Sequence, residues 1–192
     1  LTGNGHAGNV VPLPDGGALF TMNSILAPDD LYRLDARGRS AQLTRVNARL
    51  LSELDPVTFD KYSFAGANGD RVWGFTMKPP ASGKLPVAFV VHGGPQGSFG
   101  NVWSYRWNSR LLASPGYAVV SVDFHGSTGY GQAFTDSINR DWGGKPLEDL
   151  KKGFAFALAR ESAESYHVST GVGADLMEAA RQATRATLAY VE

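Results

Sequence analysis

The chain has 192 residues, 43% of them hydrophobic and 19% charged, enough to build a packed core in one domain or one and a fraction. Eighteen Lys+Arg balance eighteen Asp+Glu and Lys151-Lys152 is the sole adjacent basic pair, which excludes a basic groove for nucleic acid or anionic lipid. Cysteine is absent, no basic-then-apolar leader opens the sequence, and the nearly apolar runs Leu85–Val91 and Gly153–Ala159 fall far short of the roughly 18 to 20 residues a bilayer needs, so disulfide scaffolds, thiol chemistry and membrane spans are not expected.

With 23 glycines and 10 prolines, the composition favours turns over a helical bundle. Gly3-Asn4-Gly5-His6-Ala7-Gly8 matches G-x-G-x-x-G by letter, but no strand precedes it and Val10–Pro14 cannot open a helix. It reads as a flexible glycine loop with a solvated His6. Short strands are expected at 18–23, 30–34 and 40–44, split by Asp15-Gly16-Gly17 and Arg37-Gly38. This is antiparallel meander material. Asn47–Leu54 fits a short helix or an extended crossing, and 58–64 and 71–77 pair across the Asn68-Gly69 turn. After Lys78-Pro79-Pro80 the pattern changes: 87–91 and 117–122 are continuous β-branched runs, the mark of strands buried on both faces of a mainly parallel sheet. Trp103–Ala113 is expected as the crossover helix between them. Lys145–Arg160 places Leu147, Leu150, Phe154 and Leu158 on one helical stripe, and a further helix is expected over 175–187.

His92-Gly93-Gly94-Pro95 follows the first buried strand, where paired glycines let the backbone turn sharply and leave an N–H free for a developing oxyanion. The alternative is a tight strand-to-loop turn with His92 merely hydrogen-bonded. His125-Gly126-Ser127-Thr128-Gly129-Tyr130-Gly131 leaves the next strand in the same way. Aromatics Phe99, Trp103, Tyr105 and Trp107 follow the first loop and suit a cleft rim or core packing alike.

The succession HGGP at 92–95, Gly116-Tyr117-Ala118-Val119-Val120, GSTGYGQAF at 126–134, Trp142-Gly143-Gly144 and Glu148-Asp149-Leu150 resembles the start of the catalytic domain of the prolyl oligopeptidase family, closest to its acylaminoacyl-peptidase-like and bacterial dipeptidyl-peptidase-like members. The resemblance covers residues 1 to about 160. It implies an α/β fold: a partial α/β-hydrolase sheet at 61–160, preceded at 1–60 by a meander resembling the last blade of a β-propeller. It also implies a serine peptidase acting on short peptides, with the backbone N–H of Gly94 in the oxyanion loop and Trp103, Tyr105, Gly126, Ser127 and Tyr130 at the substrate cleft.

The sequence departs from that pattern after Arg160. No G-x-S-x-G occurs in it, and 161–192 is similar to a C-terminal portion of the acetamidase/formamidase family, without that family's metal-site region. An unrelated helical tail is expected there, and the chain reads as a junction of two partial genes. Hydrolysis by the chain alone is therefore not expected. An outlying alternative pairs Ser127 with His167, which satisfies the order Ser, Asp, His across Asp136, Asp141 and Asp149. A non-catalytic module that binds a partner or self-associates is the alternative from another class. No cofactor or metal is expected, since no H-x-x-x-H or H-E-x-x-H occurs.

Overall fold

Turn residues cut the first part of the chain into four strands that pair in chain order as an antiparallel sheet: β1 (His6–Pro12), β2 (Ala18–Ser24), β3 (Ala27–Leu34) and β4 (Ser40–Gln42). The computed structural model describes residues 5–161 and, as backbone, Tyr166–Thr170. Strand β1 replaces the flexible loop expected around His6. Its period-2 pattern is hidden by glycines and by a register shift between Gly8 and Val11, where Asn9 adopts φ 50°. Asparagine tolerates that left-handed conformation better than most residues.

Carboxylates close the meander's turns. Asp15 accepts the Gly17 N–H at 3.0 Å, and Asp35 accepts those of Arg37 and Arg39, each at 2.9 Å. Asp30 ties β3 to the segment beyond β4. It accepts the Thr44 hydroxyl at 2.7 Å, the Val46 N–H at 3.0 Å and the Gln42 amide at 3.1 Å. Burial alone would raise its carboxyl, but these hydrogen bonds and the Arg45 charge outweigh it and hold the pKa below the ordinary 3.8. A short helix α1 (Ala48–Ser52) follows.

The second sheet has five strands in the order β5-β6-β8-β7-β9: β5 (Thr58–Ala65), β6 (Arg71–Lys78), β7 (Val87–Val91), β8 (Ala118–Asp123) and β9 (Tyr166–Thr170). β5, β6 and β8 run antiparallel to one another in turn, whereas β7 is parallel to both β8 and β9. β7 leads to β8 on one side, and the chain then returns past β7 to β9, so their carboxyl ends form a topological switch point. All six residues of β8 are buried, as the continuous β-branched run requires.

Three helices connect these strands: α2 (Arg110–Ala113), α3 (Gln132–Asp136) and α4 (Lys145–Glu161). α4 begins where Asp141 accepts the Lys145 N–H at 3.2 Å and lays Leu150, Phe154 and Ala157 into the core, Phe154 lying 5.0 Å from the Phe89 ring. Burying Leu150 and Phe154 contributes about 1.5–3 kcal/mol each. Gly153 permits the close approach: a β-carbon there would sit 2.6 Å from Val122 and 2.7 Å from Phe64.

Three expectations change. The crossover helix is confined to 110–113, because short polar side chains compete for the backbone upstream: Ser104 accepts the Trp107 N–H and Asn108 the Arg110 N–H, each at 2.9 Å. The chain divides into two compact units, residues 1–56 with 100–111, and 57–99 with 112–192, so the stretch after the HGGP loop belongs with the meander. Residues 166–170 form a strand in register with β7, Val91 opposite Thr170, rather than part of a helical tail. The helix expected over 175–187 lies outside the described residues.

Asp30→Ala is expected to destabilise the chain by about 1–3 kcal/mol, through the loss of the hydrogen bonds it accepts from Thr44, Val46 and Gln42. Because the folded-state pKa is depressed, this contribution is complete above pH 3.8 and is lost as the pH falls through the lower folded value. Urea unfolding of parent and variant at pH 7 and pH 3 checks both the size and the sign.

Candidate active site

Two glycine-rich loops leave the carboxyl ends of adjacent parallel strands, residues 92–99 after β7 and 124–131 after β8. Two hydrogen bonds join them, Thr128 N–H to the Gly97 carbonyl at 2.8 Å and Ser127 Oγ to His92 Nε2 at 2.8 Å, and two more fix the first loop on the end of β8, Ser98 Oγ–H to Asp123 Oδ2 at 2.6 Å and Phe99 N–H to Asp123 Oδ1 at 2.9 Å. The Tyr130 hydroxyl also donates to Asp123 at 2.6 Å. Burial, then the Asp123 charge, push that phenol far above its ordinary 10.0.

His92 is buried between Phe124, stacked at 4.4 Å, and the edge of Phe99 at 5.3 Å. Burial lowers its pKa from 6.5, outweighing the Gly93 carbonyl and Asp123, which raise it. The neutral ring has one tautomer that fits. Gly93 O, 3.0 Å from Nδ1, can only accept, so Nδ1 carries the proton and Ser127 donates to the Nε2 lone pair.

This bond sets the direction of the next amide. The Gly93–Gly94 peptide is trans, so its C=O and N–H point opposite ways. With the carbonyl drawn inward by His92, the Gly94 N–H points outward. Gly94 is exposed, lies outside β7, and its N–H meets no acceptor among the described residues. Its φ of 136° lies where side chains are strained, and a β-carbon would sit 2.9 Å from Gln96 N.

A second histidine serves the scaffold. His125 Nδ1 and its backbone N–H meet Asp149 Oδ2 at 2.5 and 2.7 Å, while Asp149 Oδ1 accepts the Ala67 N–H at 2.7 Å. His125 Nε2 faces Asp70 at 3.2 Å, so α4, the β5–β6 turn and the loop after β8 meet at one imidazole. Among the described residues, no three His, Asp or Glu side chains converge as a metal would require.

Residues 103–171 match the model of the prolyl oligopeptidase family. Dipeptidyl-peptidase 5 of Schizosaccharomyces pombe is 37% identical over 155 residues, covering 79% of this chain and 22% of that protein. Dipeptidyl-peptidase 5 of Porphyromonas endodontalis is 34% identical over 154 residues, covering 78% and 22%. The chain belongs to the prolyl oligopeptidase family. It spans about a fifth of the length of these relatives. Among solved structures, the acylaminoacyl peptidase of Pyrococcus horikoshii superposes with a TM-score of 0.76 at 26% identity, covering 88% of this chain and 27% of that one. The second sheet is thus a prolyl-oligopeptidase-family α/β-hydrolase sheet. The family match reaches residue 171, beyond the border expected at 160, and takes in β9.

The structure sorts the expected site residues into separate places. His92, Gly93, Gly94 and Pro95 form one loop, exposed at its two glycines and pinned from below where Ser127 meets the buried His92. Ser127 is fully buried and Gly126 is buried too, so neither stands at a cleft rim. Ser127 bonds His92 at 2.8 Å, and Gly126 packs against Ile138. Trp103 and Tyr105 lie in the segment that belongs with the meander, their rings 5.6 Å apart edge to face. His167 is on β9 level with Ala88, in mid-strand, whereas the Ser127 hydroxyl is taken by His92. Asp123, Asp149 and His125 escaped sequence reasoning as a network, the one local sign being charged or titratable residues directly after an apolar strand.

His92→Ala is expected to lower stability by about 1–3 kcal/mol through the loss of its buried hydrogen bond with Ser127 and its half-buried one to Gly93. The folded imidazole titrates below its unfolded value, so its contribution is complete above pH 6.5 and shrinks as the pH falls through the lowered folded value. Denaturant unfolding at pH 8 and pH 5 reads this as a parent-to-variant difference that narrows in acid.

Proposed function

We propose that this chain carries the oxyanion-loop portion of a serine peptidase that acts on short peptides, and that it hydrolyses none by itself. The observation that carries the reading is the Gly94 amide: exposed, unaccepted among the described residues, and aimed outward by the His92 bond at the other end of its peptide plane. A preorganised N–H at a strand's carboxyl end stabilises the negative oxygen of a tetrahedral acyl-transfer intermediate, and removing such a donor costs about 10²–10³ in rate. The names dipeptidyl-peptidase and acylaminoacyl peptidase borne by similar proteins support short peptides as the substrate class.

The reading of no hydrolysis is supported by the residues that would have to attack. After Thr170 the sequence runs Gly171-Val172-Gly173-Ala174-Asp175, without the serine a G-x-S-x-G elbow presents after its strand. Ser127 has a histidine at 2.8 Å, but it is fully buried and donates its proton to a base that no carboxylate orients through Nδ1. We assign the β1–β4 meander as the last blade of a β-propeller, a reading its four-stranded antiparallel order supports. Incubation with a fluorophosphonate is expected to leave the mass of the intact protein unchanged. Stoichiometric labelling of Ser127 that disappears in His167→Ala would reverse the assignment in favour of the Ser127–His167 pair.

Self-association is a second reading, favoured by three large apolar side chains exposed in one segment: Tyr105 at 83%, Trp107 at 71% and Leu111 at 67%. Sedimentation velocity at micromolar concentration is expected to show mass rising with concentration. A monodisperse monomer with a sharp thermal transition rules this out.

A further inference from the structure

We propose that Asn68 is a site of spontaneous self-modification: its side-chain amide is lost through a cyclic imide formed with the Gly69 nitrogen when the β5–β6 turn opens, and contacts from Lys152 and His125 set how seldom it opens. The sequence places after this asparagine a residue without a side chain, so nothing beside the Gly69 nitrogen obstructs ring closure. Both residues are exposed, and a β-carbon at Gly69 would meet nothing within 4 Å, so water reaches the pair. Water is also the co-reactant that balances the chemistry. The Gly69 nitrogen gives up its proton to solvent and attacks Asn68 Cγ, the Cγ–Nδ2 bond breaks, and ammonia leaves with a proton returned from solvent. Water then opens the imide at either carbonyl, giving aspartate or its isomer linked through the side chain.

The closed turn holds the reacting atoms apart. Asn68 and Gly69, at φ 55° and 80°, are the central residues of a primed hairpin turn in which the Asp70 N–H donates to Ala67 O at 3.0 Å. With Asn68 ψ at 9°, the Gly69 nitrogen nearly eclipses the backbone nitrogen of Asn68 and is turned away from the side chain it must attack. Its proton is engaged as well, donated to Gly66 O at 3.2 Å. Reaction therefore requires rotation about the Asn68 Cα–C bond, which breaks the turn. Side chains from outside the hairpin oppose that rotation. Lys152 Nζ donates to the same Gly66 carbonyl at 2.8 Å, Asp149 Oδ1 accepts the Ala67 N–H at 2.7 Å, and Asp70 meets His125 Nε2 at 3.2 Å. Lys152 and Asp149 both stand on α4, so the seating of a helix governs the lifetime of an amide in a turn.

Mass spectrometry of the full chain, held at pH 8 either folded or in concentrated urea and then digested, reads the reaction in the tryptic peptide 62–71, where Asn68 is the one asparagine. Replacement of NH by O in that peptide is expected to run at least about tenfold faster in urea than in the folded chain. Lys152→Met keeps the apolar stem without the donor, and Asp70→Ala removes the His125 contact. Each is expected to raise the rate in the folded chain at least about threefold while leaving the rate in urea unchanged. Absence of product in urea overturns the site, and equal rates in urea and in the folded parent overturn its control by the turn. A parental rate in either variant, with its thermal transition intact, also overturns the proposal. Where Lys152→Met loses that transition, Asp70→Ala decides alone.

Discussion

A carboxylate shut away from water is tolerated only where donors meet it, and Asp123 is met by three, from Ser98, Phe99 and Tyr130. Its position is not adjustable. It is the last residue of β8, fixed in register opposite Trp73 of β6, so the sheet dictates where the charge stands and the loops must come to it. Removing a single donor would leave a charge-assisted bond unmade in a dry site. The two glycine loops are thereby committed to one arrangement.

From that arrangement the chemistry of the neighbours follows. Tyr130 stays a phenol because burial disfavours its ionised form and the neighbouring Asp123 charge adds to that. His92, 3.9 Å from the same carboxylate, is nevertheless held toward its neutral form by desolvation, and neutrality allows one ring nitrogen to donate to Gly93 while the other accepts from Ser127. An imidazolium would donate at both positions and still leave Ser127 a bond, but not the same directional pair. The orientation of one exposed amide thus rests on an imidazole that burial holds neutral.

The sequence makes some of this legible and hides the rest for identifiable reasons. Strands β7 and β8 are readable because both faces are covered and every position before Asp123 is apolar or small, and α4 because its buried residues recur at helical spacing. The HGGP loop is readable as letters placed after a strand. β1 is not, since glycines and a bulge break its alternation. The helix expected from Trp103 fails because Ser104, Asn101 and Asn108 use their side chains on backbone groups, an outcome that depends on partners as far away as Ile25. Asp123 and Ser98 are 25 residues apart, and nothing local pairs them. Ser127 looks like a surface serine in a glycine loop, and only the fold shows that it faces inward.

The meander draws Gly100–Leu111 out of the middle of the hydrolase segment, between β7 and β8, and this bears on how such a chain can change over evolutionary time. A recombination event at Pro56 and Val57 would exchange one β-sheet for another but would leave Asn101 and Asn108 behind, encoded with the partner they no longer fit. The β2–β3 turn of an incoming sheet would have to offer a buried residue whose backbone groups face the same two asparagines. The two units are therefore inherited as a pair, and variation at Ile25, Asn101 and Asn108 is expected to be concerted rather than independent.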